Sequence, residues 1–71
     1  MRTWLKEARK EKKLTQLELA QAVGVTEQYI YYIESGDRTP SVEIAKNIAN
    51  VLGFDWTLFF PEPEESTEEG G

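Results

Sequence analysis

Residues 14–36 read LTQLELAQAVGVTEQYIYYIESG, and this stretch decides the fold. Thr15, followed by a glutamate three positions later, has the spacing of a capping box at a helix start. Gly24 stands where a first helix would end, because glycine adopts the positive φ of a helix C-terminus without strain. Thr26 can then cap a second helix that ends at Gly36. The stretch therefore predicts a helix-turn-helix, two short helices joined by a tight turn.

Helical patterns also flank this stretch on both sides, and no strand pattern appears in the chain. Three further helices are predicted. Thr3 caps one that runs to about Lys13, Ser41 caps one that Gly53 stops, and Asp55 caps one that Pro61 ends. Residues 61–71 are acidic and contain no large apolar side chain, so we expect a disordered tail there. The predicted fold is all-α, a compact bundle of five short helices in residues 1–60 with the helix-turn-helix as helices 2 and 3.

The amino-acid composition excludes several classes of function. The chain has 71 residues, which allows a single small domain. It has no cysteine and no histidine, so disulfides, thiolate metal sites and the commonest general base are absent. We therefore expect a protein that is not an enzyme and needs no cofactor, metal or small-molecule ligand. Neither a signal peptide nor a membrane-spanning apolar run is visible, which makes a cytoplasmic protein without a membrane role the default expectation.

The charged residues are distributed unevenly along the chain. The net charge of −5, taken alone, argues against a nucleic-acid-binding protein. However, five of the thirteen acidic residues lie beyond residue 60, where there is no basic residue. Residues 1–60 are therefore neutral overall, and the first thirteen residues carry six basic and two acidic side chains. A neutral body with a basic end can still contact phosphates locally.

The third predicted helix has a buried side and an outward side. On a helical wheel of about 100° per residue, Ile30 and Ile33 share the buried side. The outward side carries amide, phenol and hydroxyl groups from Gln28, Tyr31, Tyr32 and Ser35. Such groups can donate and accept hydrogen bonds at base edges in the major groove of DNA, and a glutamine amide can pair with adenine through two hydrogen bonds.

Residue type and spacing agree across four successive helices with one known pattern. The matching residues are Leu14-Thr15-Gln16, Glu18-Leu19-Ala20, Val23-Gly24-Val25-Thr26, Ile30, Ile33-Glu34, Gly36, Pro40-Ser41, Ile48-Ala49 and Leu52-Gly53. Through them the chain resembles the Cro/repressor (XRE) family of helix-turn-helix transcriptional regulators of bacteria and phages, over roughly residues 4–60. The resemblance implies a lambda-repressor-like DNA-binding domain whose third helix enters the major groove of double-stranded DNA.

The resemblance also implies roles for individual residues. Contacts to bases would come from the recognition helix, at Thr26, Glu27, Gln28, Tyr31 and Tyr32. Contacts to backbone phosphates would come from the start of the second helix and from the end of the third, at Gln16, Ser35, Arg38 and Thr39. A structural ion pair between Arg9 and Glu34 would tie the first helix to the third.

Several of these residues have a second interpretation. Glu27 has the wrong sign for a groove lined by phosphates, so it either accepts from cytosine N4 or pairs with a lysine. Tyr31 and Tyr32 can instead cover neighbouring apolar surface. Gln28 and Arg38 can be ordinary solvent-exposed residues, without contact to DNA.

Five large apolar side chains fall within seven positions near residue 60. One short helix cannot bury all of them against its own core, because a helix commits one face to that core. The excess predicts a homodimer interface, and a two-fold dimer would place two recognition helices on successive major grooves. The five side chains are Phe54, Trp56, Leu58, Phe59 and Phe60, and the interface is predicted at Phe54, Trp56, Phe59 and Phe60. The alternative is that Trp56 and Phe60 cap the core of a monomer.

Two functions remain in competition. The first is a sequence-specific DNA-binding transcriptional regulator, a repressor that binds a pseudo-palindromic operator as a homodimer. The second is a protein-interaction module of the same fold, of the antitoxin or bridging-factor type, without specific DNA readout. The acidic balance and Glu27 favour the second function, whereas Gln16 and Gln28 favour the first.

Overall fold

Four α-helices and one 3-10 helix form residues 1–60, the part of the chain that the computed structural model describes. The α-helices are α1 (Thr3–Glu11), α2 (Gln16–Val23), α3 (Glu27–Ser35) and α4 (Val42–Leu52), and the 3-10 helix is Trp56–Phe59. The all-α fold class is confirmed, with four α-helices rather than five. The predicted disordered tail, residues 61–71, lies outside the described residues.

Side chains at the starts of α2, α3 and α4 make the capping bonds that the sequence predicts. The Thr15 hydroxyl accepts from the Glu18 N–H at 3.0 Å, and the Glu18 carboxylate accepts from the Thr15 N–H at 2.9 Å, which completes the capping box. Thr26 accepts from the Tyr29 N–H at 3.0 Å, and Ser41 caps α4 in the same way. These bonds satisfy N–H groups that the first turn of a helix leaves without partners.

The turn between α2 and α3 closes on a left-handed glycine. Gly24 has a φ of +80°, a conformation that strains any residue with a Cβ atom. The Ala20 carbonyl accepts from the N–H groups of Gly24 and Val25 at 2.8 and 3.0 Å, so the end of α2 is satisfied within the turn. Ala20 itself is fully buried in the core against which α2 and α3 pack. The predicted helix-turn-helix is therefore confirmed.

The structure differs from the prediction at both ends of the bundle. Thr3 is the first residue of α1 rather than its cap, because Arg2 occupies the cap position. The predicted fifth helix is a 3-10 helix, and its four residues suit the tighter i→i+3 pattern of short segments. Asp55 caps it as predicted, accepting from the Thr57 N–H and hydroxyl at 3.0 and 2.8 Å. These two hydrogen bonds hold the pKa of Asp55 below its usual range.

The core draws side chains from every element. Its fully buried members are Leu5, Leu19, Ala20, Ile30, Ile33, Ala45 and Ile48. The rings of Trp4, Phe54 and Phe59 pack edge-on or tilted, with centroids 5.1–5.7 Å apart. Phe59 is only 3% exposed, whereas Phe54 is half-buried. Phe59 therefore belongs to the core of the monomer, and it is removed from the surface on which a partner could dock.

A buried ion pair joins α1 to α3. Arg9 Nε donates to Glu34 Oε2 at 2.6 Å and Arg9 Nη2 donates to Glu34 Oε1 at 3.2 Å, with the two side chains 9% and 3% exposed. Arg9 Nη1 also donates to the Leu14 carbonyl at 2.8 Å, and Gln16 Nε2 donates to Glu34 Oε1 at 3.0 Å. One carboxylate thus fixes α1, the start of α2 and the last turn of α3 relative to one another.

Replacing Arg9 with methionine leaves the Glu34 carboxylate buried without its cation. We expect Arg9→Met to lower the free energy of unfolding by about 3–5 kcal/mol, measured by urea denaturation. Lys10→Met, at an exposed position of the same helix, is the matched control and should change that free energy by less than about 0.5 kcal/mol. Equal effects from the two substitutions would show that the ion pair contributes nothing to stability.

Candidate nucleic-acid interface

The outward side of α3 is polar and open to solvent. Gln28 and Tyr31 are exposed there, Tyr31 by 54%, and Tyr32 is half-buried. On the opposite side, Ile30 and Ile33 are fully buried. This division follows the helical wheel, so α3 meets the core with its aliphatic side chains and the solvent with its hydrogen-bonding ones.

Three side chains on and just after α3 contact one another in sequence. We call them the amide–phenol–guanidinium group, which consists of Gln28, Tyr32 and Arg38. Gln28 Nε2 donates to the phenol oxygen of Tyr32, one turn further along α3, at 3.0 Å. The guanidinium of Arg38 lies over the Tyr32 ring, 5.7 Å from its centroid. With Thr26 and Tyr29, these side chains line an open hollow on the surface. The group offers hydrogen-bond donors suited to base edges and to phosphate oxygens.

The backbone behind this group is fixed by the Tyr32 carbonyl. That oxygen accepts from the Gly36 N–H at 3.1 Å, from the Arg38 N–H at 3.2 Å and from the Ser35 hydroxyl at 3.1 Å. The Ser35 hydroxyl also accepts from the Asp37 N–H at 3.3 Å. Its only proton is used inside the turn, so a phosphate contact donated by Ser35 requires the bond to Tyr32 to break.

The other predicted contact residues surround this group at the starts of two helices. The Thr26 hydroxyl oxygen accepts the capping hydrogen bond from the Tyr29 N–H. The hydroxyl proton can therefore be donated to an acceptor on DNA. Gln16 is half-buried at the start of α2, where one of its two amide protons is donated to Glu34. Glu27 is exposed in the first turn of α3, a place where a carboxylate is favoured by the helix dipole but repels a phosphate.

Arg2, which the sequence reasoning missed, fastens the loop after α3. Its Nη1 donates to the carbonyls of Ile33 and Arg38 at 2.7 and 2.9 Å, and its Nη2 donates to the Thr39 hydroxyl at 3.3 Å. Its backbone N–H donates to the Glu34 carbonyl at 2.8 Å. Partial burial lowers the pKa of the Arg2 guanidinium. Arg2 therefore satisfies carbonyls at the end of α3 and positions two of the predicted phosphate contacts, Arg38 and Thr39.

These features define a class of protein. A helix-turn-helix whose second helix exposes amide and phenol groups has the architecture of DNA-binding transcriptional regulators. Residues 5–59 match the model of the helix-turn-helix family. The chain therefore belongs to the Cro/repressor (XRE) family of helix-turn-helix transcriptional regulators. Within residues 1–60, no helix combines the length and apolar character needed to cross a membrane.

Three similar proteins agree with this assignment. YqaF of Bacillus subtilis (strain 168), an uncharacterised HTH-type transcriptional regulator, is 50% identical over 62 residues, covering 87% of this chain and 82% of the relative. The ImmF control region 10 kDa protein of Bacillus phage phi105 is 36% identical over 67 residues, covering 94% and 74%. The solved N-terminal DNA-binding domain of SinR from Bacillus subtilis is similar with a TM-score of 0.72 and 31% identity, covering 89% and 93%.

The role of Arg2 can be measured at the loop that it fastens. Arg2→Met removes three charge-assisted hydrogen bonds, so we expect the free energy of unfolding to fall by about 1–2 kcal/mol. The amide protons of Gly36 and Arg38 should exchange faster with solvent, which NMR can follow residue by residue. Arg2→Lys keeps the charge without the planar fork and should restore only part of the protection. Unchanged exchange at Arg38 in both variants would show that other contacts hold the loop.

Proposed function

We propose that the protein is a sequence-specific repressor that binds double-stranded DNA as a homodimer at a pseudo-palindromic operator. In this proposal α3 lies in the major groove, and its outward side reads the bases. The observation that carries the proposal is the exposed Gln28 amide, hydrogen-bonded to Tyr32 on that side. A glutamine amide can pair with adenine through two hydrogen bonds, which distinguishes adenine from the other bases in the major groove.

We assign contacts with the phosphates of the DNA backbone to residues on both flanks of α3. Gln16 lies at the start of α2, where the helix dipole and unpaired N–H groups attract a phosphate. Arg38 and Thr39 follow α3 on the other flank, in the loop to which Arg2 is bonded. Contacts of this kind set the position of the recognition helix, while Thr26, Gln28 and the other groove-facing side chains select the sequence.

The charged side chains on and just after α3 predict that binding to DNA of random sequence is weak. Within residues 26–39, the exposed charged side chains are Glu27, Asp37 and Arg38, which give no net positive field. Few phosphates would then be neutralised, so affinity for random DNA should be low and should depend weakly on salt. The same observation supports the second candidate, a protein-interaction module without DNA readout. A protein that binds one DNA sequence more tightly than random DNA has the first function, and a protein that binds neither has the second.

The homodimer is proposed from apolar surface beside the 3-10 helix. Leu58 is 50% exposed and Val42 is 48% exposed. Trp56 and Phe60 are half-buried, with ring centroids 5.9 Å apart, and Lys46 Nζ lies 5.1 Å from the centroid of the Trp56 ring. Large apolar side chains left open to solvent mark protein–protein interfaces when they cluster, and Trp56, Leu58 and Phe60 lie within five residues of one another in the chain. A second copy would cover them and would supply a second α3 for the neighbouring major groove.

Base reading by Gln28 can be tested with three matched glutamine substitutions. Gln28→Ala should weaken binding to the preferred DNA site by about 1–3 kcal/mol and leave binding to random DNA unchanged. Gln16→Ala should weaken binding to both DNAs, because phosphate contacts carry no sequence information. Gln21→Ala, at an exposed position of α2, should change neither. Fluorescence anisotropy titrations measure all three, and equal losses on both DNAs for Gln28→Ala would show that Gln28 does not read bases.

Dimerisation can be tested without DNA. Sedimentation equilibrium in the micromolar range should give the mass of two chains, and Leu58→Glu should shift it to one, because a buried carboxylate at the interface lacks a partner. Leu17→Glu is the matched control, since Leu17 has a similar exposure of 46% on α2. A wild-type monomer that also binds DNA one-to-one without cooperativity would contradict the proposed dimer.

A further inference from the structure

We propose that Tyr32 is a positioning residue that sets the direction of the Gln28 amide and thereby makes it selective for adenine. The inference rests on the proposed function, because it concerns how the same surface reads DNA. It differs from a direct base contact by Tyr32, since the phenol acts through Gln28. The observation behind it is the 3.0 Å bond in which Gln28 Nε2 donates to the Tyr32 phenol oxygen.

The atoms of the amide show why its direction matters. A glutamine amide has two N–H donors on nitrogen and one carbonyl acceptor. When one N–H is donated to Tyr32, the second N–H and the carbonyl remain for the groove. That pair matches adenine, which presents an acceptor at N7 and a donor at N6. Guanine presents two acceptors, N7 and O6, and its O6 would face the amide carbonyl. The reversed amide would bond Tyr32 through its carbonyl and turn two N–H donors towards the groove, which suits guanine.

A backbone phosphate would keep the amide in the adenine direction. The phenol has one O–H proton. The phenol oxygen can accept from the Gln28 N–H only when that proton points away from the amide. Arg38 lies over the Tyr32 ring and would bring a phosphate close to the phenol, where the phosphate oxygen can only accept. With its proton on the phosphate, the phenol oxygen is left to accept from Gln28. The phosphate contact and the base preference are therefore linked through one hydroxyl group.

The backbone at Tyr32 is held by hydrogen bonds to its carbonyl. The Tyr32 carbonyl accepts from Ser35, Gly36 and Arg38, so the last turn of α3 and the start of the following loop are bonded to the residue that carries the phenol. Gln28 lies one helical turn earlier, at the i, i+4 spacing at which side chains on a helix meet. The helix therefore places the Gln28 amide beside the Tyr32 phenol, and the loop after α3 brings the Arg38 guanidinium over the Tyr32 ring.

A double-mutant cycle on base preference tests the inference. The wild-type protein is first used to select its preferred site from random DNA. In that site, the adenine with which Gln28 is proposed to pair is then replaced by guanine. We expect a wild-type preference for adenine of about tenfold or more, falling to about threefold or less in Tyr32→Phe. Gln28→Ala should abolish the preference, and adding Tyr32→Phe to it should have no further effect on that ratio. Urea denaturation of each variant checks that the fold is retained.

Tyr31→Phe is the matched control, because it removes the same atom from the neighbouring ring, whose centroid is 5.8 Å from that of Tyr32. Tyr31→Phe should change the ratio of affinities for the adenine and guanine sites by the same factor whether residue 28 is glutamine or alanine. If Tyr32→Phe weakens binding to adenine and guanine sites equally, the phenol contacts only the backbone and the inference is overturned. If the wild-type protein enriches no sequence at all, the proposed function itself fails. If it enriches a site without this adenine, the function stands and the inference falls.

Discussion

The Glu34 carboxylate is the group on which the arrangement of α1, α2 and α3 depends. It is almost completely buried, and its two oxygens accept from Arg9 twice and from Gln16 once. A charge in such a place is tolerated only when it is paired and hydrogen-bonded, so the three side chains must keep their relative positions. Arg9 lies on α1, Gln16 begins α2, and Glu34 lies in the last turn of α3. The angle between the two helices of the helix-turn-helix is therefore set by a polar contact as well as by the core.

Most of the fold could be predicted because its signals are local. The capping residues Thr15, Thr26 and Ser41 each bond an N–H three residues away, and such spacing is visible in any sequence. The form of the last element could not be predicted, since apolar residues packed into seven positions are compatible with a short α-helix and with a 3-10 helix alike. For the same reason Phe59 could not be separated from its exposed neighbour Leu58, which lies on the surface.

The candidate site was predicted less completely, because its bonds join distant parts of the chain. Arg2 donates to two carbonyls and a hydroxyl that lie 31 to 37 residues away in the chain. Because every residue has a backbone carbonyl, the residue types do not indicate which carbonyls accept. The stacking of Arg38 on Tyr32 depends on the conformation of a loop without helical periodicity. The bond between Gln28 and Tyr32 is predictable from the sequence, since the two residues stand at i and i+4 on the outward side of one helix.

We propose that the outward side of α3, positioned through Glu34, is the surface that meets DNA. An NMR titration of the isotope-labelled protein with a short duplex at about 0.15 M salt tests it most directly. The side-chain amide signals of Gln28 and Gln16 should shift together with the backbone amides of residues 26–32, while Gln21 on α2 provides an internal control and stays unchanged. Shifts confined to α4 and the 3-10 helix, or no shifts with any duplex, would contradict the account.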